Sequence, residues 1–132
     1  MKQLVIEAKI ESLEEVLDFI SSELDIVDCA SNLKIKIVIA VEEIFVNIAH
    51  YAYNHEIGTV DIRIKIEDEV TIEFEDSGVP YNPLEVIEPD ISKEAHEREL
   101  GGLGVYMVKQ IMDKIEYKYN DGKNILTMSK KT

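Results

Sequence analysis

Residues 31–53 (SNLKIKIVIAVEEIFVNIAHYAY) constrain the fold more than any other segment, because their helical projection is apolar almost all round. Leu33, Ile35, Ile37, Val38, Ile39, Ala40, Val41, Ile44, Phe45, Val46, Ile48 and Ala49 leave little room for a wet face. A helix of this kind belongs in the interior, and the rest of the chain must supply the elements that cover it.

The flanking patterns supply them. Residues 3–10 alternate, with Leu4, Ile6, Ala8 and Ile10 on one face, and predict a strand. Ser12 and Glu15 have the spacing of a capping box, ahead of a helical stripe of Leu13, Val16, Leu17, Ile20 and Leu24. VDIRIKIE and VTIEFED read as an antiparallel hairpin turning near Asp68-Glu69. Residues 77–100 hold three prolines and no firm period, which predicts a lid. A helix resumes at Gly102, then IEYKY and NILTMSK pair as strands around Asn120-Asp121-Gly122. The order β-α-α-β-β-lid-α-β-β predicts an α+β two-layer sandwich, with helices on one face of a mixed, mostly antiparallel sheet. A chain of 132 residues carries one ordinary core, so residues 1–132 are expected to form one domain.

Charge narrows the function classes. Twenty-seven acidic residues against fourteen Lys and Arg give a net charge of −13. That field repels nucleic acid and anionic membrane surfaces. It also repels a polyphosphate, so a nucleotide pocket here needs a divalent metal, backbone amides and local cations. Cys29 is the sole cysteine and reads as a small buried residue. The longest apolar run, Ile37 to Val41, is far short of a membrane span, and Met1-Lys2-Gln3 leads straight into the first alternating segment. A cytoplasmic location is the expectation.

Three groups of residues carry possible chemistry. Glu43 and Asn47, four apart in the most apolar helix, emerge on one face. They are either a phosphoryl-transfer pair, with Asn47 an oxygen ligand for Mg²⁺ and Glu43 a proton acceptor, or a solvated edge beside a hydrogen-bonded core amide. Asp76-Ser77-Gly78 closes a strand. It is either turn chemistry, Gly78 supplying a positive φ, or a purine site in which Asp76 accepts from an adenine amino group. Gly101-Gly102-Leu103-Gly104 precedes a helix, where backbone amides can hold phosphates; a hinge would also use glycines. It is neither a Walker A loop nor G-x-G-x-x-G.

The three groups together, in this order, resemble the N, G1 and G2 boxes of the Bergerat-fold (GHKL) ATPases. DSGVPYNPLE, the segment from Glu97 to Lys109 (EREL-GGLGVYMVK) and DGKNILTMSK are similar to the stand-alone anti-sigma-factor serine/threonine kinases. The resemblance covers nearly the whole chain. It implies Glu43 as general base, Asn47 as magnesium ligand, Asp76 and Gly78 at adenine, and Gly101, Gly102 and Gly104 at the phosphates. Arg98, the lone arginine of the lid, becomes a candidate for the γ-phosphate, with a surface ion pair to Glu94 or Glu97 as the other reading. Thr127 stands where the superfamily supports the adenine aspartate through water, though a strand position also favours Thr. Where these kinases commonly carry His, four residues after Asn47, this chain has Tyr51, with His50 just before it.

What the resemblance implies is an ATP- and Mg²⁺-dependent kinase. Its substrate would be a serine or threonine of an anti-sigma-factor antagonist of the STAS type, and it could also sequester a sigma factor. The alternative is an ATP-dependent binding module without kinase activity, whose acidic lid holds a basic partner. The first strand is an exposed-edge candidate, and related kinases pair through their sheets, so a homodimer is expected.

Overall fold

The computed structural model describes residues 1–53, 56–85 and 102–132; residues 54, 55 and 86–101 lie outside the described residues. The described strands are β1 (Lys2–Glu7), β2 (Thr59–Ile66), β3 (Glu69–Asp76), β4 (Lys114–Asn120) and β5 (Lys123–Lys131). The helices are α1 (Leu13–Ile26), α2 (Ser31–Tyr51) and α3 (Gly102–Ile111).

The sheet order is β1-β2-β3-β5-β4, and every described pairing is antiparallel. The expected mixed sheet is thereby corrected. β3 and β4 run parallel to each other, but β5 lies between them and pairs antiparallel with both, so the described strands form no parallel ladder. The β4–β5 turn places Asp121 (φ 56°) and Gly122 (φ 79°) both in the left-handed region, the conformation that an Asp-Gly hairpin turn requires.

Alternation sorts the strand residues cleanly. Val60, Ile62, Ile64, Val70, Ile72, Phe74, Leu126 and Met128 face the helices and are buried. Asp61, Arg63, Glu73 and Glu75 face away from them, where Arg63 bonds all three carboxylates. α2 packs against α1 and α3, with Ile37, Ala40, Val41, Ile44 and Phe45 in the core. Its amino-terminal turns are less covered than the all-apolar pattern implies: Ile35 is 59% exposed.

The Ser12–Glu15 capping box does not form. A 3-10 turn at Ile10–Ser12 runs directly into α1, which leaves Ser12 at near-helical angles (φ −85°, ψ −8°) and without a side-chain cap bond. Among the described residues, no helix is long and apolar enough to cross a membrane.

Candidate functional site

The site grows from the carboxyl-terminal half of α2. Glu43, Asn47 and Tyr51 follow one another at four-residue intervals along one line of the helix, spanning about 12 Å. Asn47 and Tyr51 line a pocket with Asp76, Val79, Tyr81, Pro83, Tyr117 and Asn124, floored by Ile44, Phe74 and Leu126. The cavity is about 40 Å³, small against the ~300–1,000 Å³ of pockets that enclose small ligands. Tyr51 and Tyr81 occupy part of its lining as a stacked pair, ring centroids 5.6 Å apart.

Asn47 is 7% exposed, and its Nδ2 is buried with no hydrogen-bond partner. An orphaned amide in a pocket wall carries an unmet desolvation cost, which a ligand can relieve. Turned about its last bond, the same amide presents its carbonyl oxygen. Magnesium commonly takes only one or two protein oxygens and completes its shell with water and phosphate, so this single uncommitted amide fits such an ion. No described residue lining the pocket is a Lys or Arg.

Asp76 is 6% exposed at the end of β3. Burial pushes its carboxyl above the ordinary value, and bonds from Asn124 and the Gly78 backbone oppose that rise. Both donors use the same oxygen: Gly78 N–H at 2.9 Å and Asn124 Nδ2 at 2.9 Å bond Oδ1.

Gly78 shows no positive φ, which departs from the turn reading. Close approach is what requires glycine. A Cβ there would stand 2.2 Å from the Ala52 carbonyl oxygen, and the next residue, Val79, donates its N–H to that same carbonyl at 2.8 Å. The Asp76–Val79 turn is thus stitched to the end of α2. Tyr53 adds to the seam: its hydroxyl accepts from Ser77 N–H at 2.8 Å and donates to the Thr59 carbonyl at 2.6 Å. Because the obstruction is backbone, Gly78→Ala is expected to destabilise the fold by about 1–3 kcal/mol, typical of overpacking. Thermal unfolding of the variant checks this.

Glu43 meets the start of α3. A Cβ on Gly104 would lie 2.1 Å from Glu43 Oε2, so only glycine lets the carboxylate rest there. Partial burial, with Glu42 beside it, raises the Glu43 carboxyl above the ordinary range. The first amides of α3 lack intrahelical acceptors and carry the positive end of the helix dipole. Gly102 opens that helix. Gly101 and Arg98 lie outside the described residues.

The sequence-derived residues Glu43, Asn47, Asp76, Gly78 and Gly104 therefore converge around α2, whereas Thr127 does not join them. Thr127 pairs with Glu73 on the face of the sheet turned away from the helices. The residue on Asp76 is Asn124, its register partner in β5. Asn124 and Thr127 are three apart, and an odd offset along a strand reverses the face. Tyr51, Tyr81 and Tyr117 are further pocket residues that sequence reasoning left without a role.

Comparison with known proteins bears on the family and the fold. Residues 6–130 match the family described as the histidine kinase-like ATPase domain. The serine-protein kinase RsbW of Bacillus mycoides (strain KBAB4) is 31% identical over 93 residues, which cover 67% of this chain and 58% of that protein. The RsbW of Bacillus cereus (strain AH187) is 32% identical with the same coverage. The chain thus spans somewhat over half the length of the curated relatives it matches. The crystal structure of the RsbU and RsbW domains of Rv1364c from Mycobacterium tuberculosis superposes with a TM-score of 0.65, covering 99% of this chain and 32% of that one. At 15% identity, that likeness establishes a shared fold. By its sequence match, and with the antiparallel sheet under three helices that the described residues form, this chain belongs to the histidine kinase-like ATPase domain family.

Proposed function

We propose that the chain is an ATP-dependent serine/threonine protein kinase, acting on an anti-sigma-factor antagonist of the STAS type and able to sequester a sigma factor, in the cytoplasm and as a homodimer. The observation that carries this reading is the meeting of Glu43 with Gly104, one turn of α2 away from the unpartnered Asn47 amide and the Asp76 pocket. Base, metal ligand, purine acceptor and phosphate-binding amides are then all within reach of α2. The relatives' description as serine-protein kinases supports the same choice.

In this scheme Asp76 accepts a hydrogen bond from the adenine amino group, and the base enters by displacing part of the tyrosine lining. Gly101, Gly102 and Gly104 give the triphosphate access to the free amides of α3, and Arg98 reaches the γ-phosphate. Asn47 holds the magnesium ion, which supplies neutralisation of the phosphate charge within a strongly acidic protein. Glu43 takes the proton of the attacking hydroxyl; its raised pKa brings it closer to the range suited to a general base. Most of the rate enhancement comes from positioning and charge stabilisation. The homodimer reading rests on β1, which is an edge strand with Val5 59% exposed on its outward side.

Incubating the purified chain with Mg²⁺, γ-labelled ATP and a purified STAS-type antagonist tests the assignment. Label on a serine or threonine of the antagonist is expected. Tight ATP binding with an unlabelled antagonist would replace the kinase by a nucleotide-dependent binding module.

A further inference from the structure

β4 ends the described sheet, with β5 on one side and no described strand on the other. In an antiparallel pair, every second residue of an edge strand directs its N–H and C=O away from its neighbour, and such a row is a template for another extended chain. Of the seven residues of β4, Ile115 and Tyr117 are partly covered and the other five are exposed. Among the described residues, no backbone group outside β5 bonds it.

Alternation gives the two faces of this edge different chemistry. Lys114, Glu116, Lys118 and Asn120 lie on the face turned away from the helices, where Glu116 stands opposite Thr127. Residues 114–131 hold five lysines against Glu116 and Asp121, a cationic surplus in a chain of net charge −13. Two of these lysines have acidic neighbours: Lys123 lies 4.0 Å from Glu75, and Lys130 lies 3.9 Å from Asp113. Lys114, Lys118 and Lys131 make no ion pair with a described residue.

Tyr119 lies on the helix side of β4 and is 47% exposed. It stands opposite Asn124, whose side chain donates to the Val79 carbonyl at 2.8 Å and accepts from the Tyr81 N–H at 3.2 Å. Val79 and Tyr81 are themselves 45% and 37% exposed. An apolar strip thus borders the edge on the side opposite the lysines. Exposed aromatic side chains of this kind are what binding surfaces use as anchors.

We infer that β4 is a docking edge for an extended acidic segment of a partner protein, which adds a further strand to the sheet. Acidic side chains at alternate positions face Lys114 and Lys118, and the apolar ones between them lie toward Tyr119. A peptide supplies the N–H and C=O groups that an open ladder pairs with, whereas a nucleic acid lacks them, and the net charge repels a long polyanion. A second copy of β4 would bring the same cationic surplus to the contact, so like charge disfavours it. The inference goes beyond the kinase reading and does not rest on it: of the β4 residues, Tyr117 alone lines the pocket.

The probes are fluorescent peptides of seven residues, the length of β4, one alternating Glu with Val and one alternating Lys with Val. Anisotropy measures their binding to the full chain at low salt, and hydrogen exchange locates the site. The acidic peptide is expected to bind saturably and to slow exchange of the β4 amides, while the basic peptide does not bind. Lys114→Glu/Lys118→Glu should weaken the acidic peptide by about tenfold, the scale of reversing two exposed charge contacts. A proline at the centre of the acidic peptide removes a ladder donor and should weaken it by about as much. Thermal unfolding checks that the double variant is folded; should it unfold, Lys114→Gln/Lys118→Gln replaces it, with a smaller loss expected. No saturable binding at millimolar peptide, binding indifferent to the lysine changes, or protection outside β4 would overturn the inference. A proline-bearing peptide that binds like its parent would reduce the contact to charge attraction and overturn the strand pairing. Displacement of the peptide by oligothymidylate would reassign the lysines to phosphate and overturn the peptide as occupant. A chain that fails to bind ATP yet passes these tests would sink the nucleotide reading and leave the docking edge standing.

Discussion

Glu43→Gln is expected to lower phosphoryl transfer to the antagonist by ~10²- to 10⁴-fold, the usual contribution of a placed base, while Mg²⁺–ATP binding stays close to wild type. Gln keeps the shape and the contact against Gly104 but cannot take up a proton at the attacking hydroxyl. The same variant should unfold at a higher temperature than wild type at neutral pH. Burial and the Glu42 charge raise the Glu43 carboxyl above its ordinary value, so between the ordinary and the raised value the folded state holds a proton that the unfolded state releases. Stability is therefore fullest below the unfolded carboxylate range and declines as pH rises through the raised value. Asp76, raised by burial, works in the same direction. Gln removes the Glu43 share of that decline, so its advantage in melting temperature should grow as pH rises from the ordinary carboxylate range through the raised value. Transfer at the wild-type rate would remove Glu43 from the mechanism. An advantage that shrinks with rising pH would contradict its ionic state in the fold.

Asp76→Asn is expected to weaken ATP binding by about 10- to 100-fold, with a loss of stability besides. The aspartate is purely an acceptor: Oδ1 takes the Gly78 N–H and the Asn124 amide, and the adenine amino group is assigned to the other oxygen. An asparagine there must place its NH₂ either against those two donors or against the incoming amino group, and both choices set donor against donor. Calorimetric titration with Mg²⁺–ATP measures the effect. Unchanged affinity would mean that the base does not contact position 76.

How much of this was legible in the sequence follows from the range of each interaction. Glu43 and Asn47 are related by the helical period within one segment, so their shared face could be read directly, as could the Asp121-Gly122 turn. The partner of Asp76 could not. Asn124 is 48 residues further along the chain, and which β5 residue opposes Asp76 depends on the strand register, a tertiary property that local pattern leaves open. The choice of Thr127 missed by three positions and landed on the opposite face. The signal that could have found Asn124 is a polar residue at an inward position of an otherwise apolar alternation, with Leu126 and Met128 following it. Gly78 was recognisable as a constrained glycine, but the cause, the Ala52 carbonyl, belongs to another element. The Ser12–Glu15 spacing suggested a capping box, yet the preceding 3-10 turn carries the chain into α1 without it.

The account's central claim is that one pocket beside α2 holds the whole nucleotide. A crystal structure with Mg²⁺ and a non-hydrolysable ATP analogue tests it most directly. The expected result has the adenine amino group on Asp76, the metal on Asn47, and the phosphates between Glu43 and the amino end of α3. A nucleotide bound away from Asp76 and Asn47, or phosphates that do not approach Gly104, would contradict it.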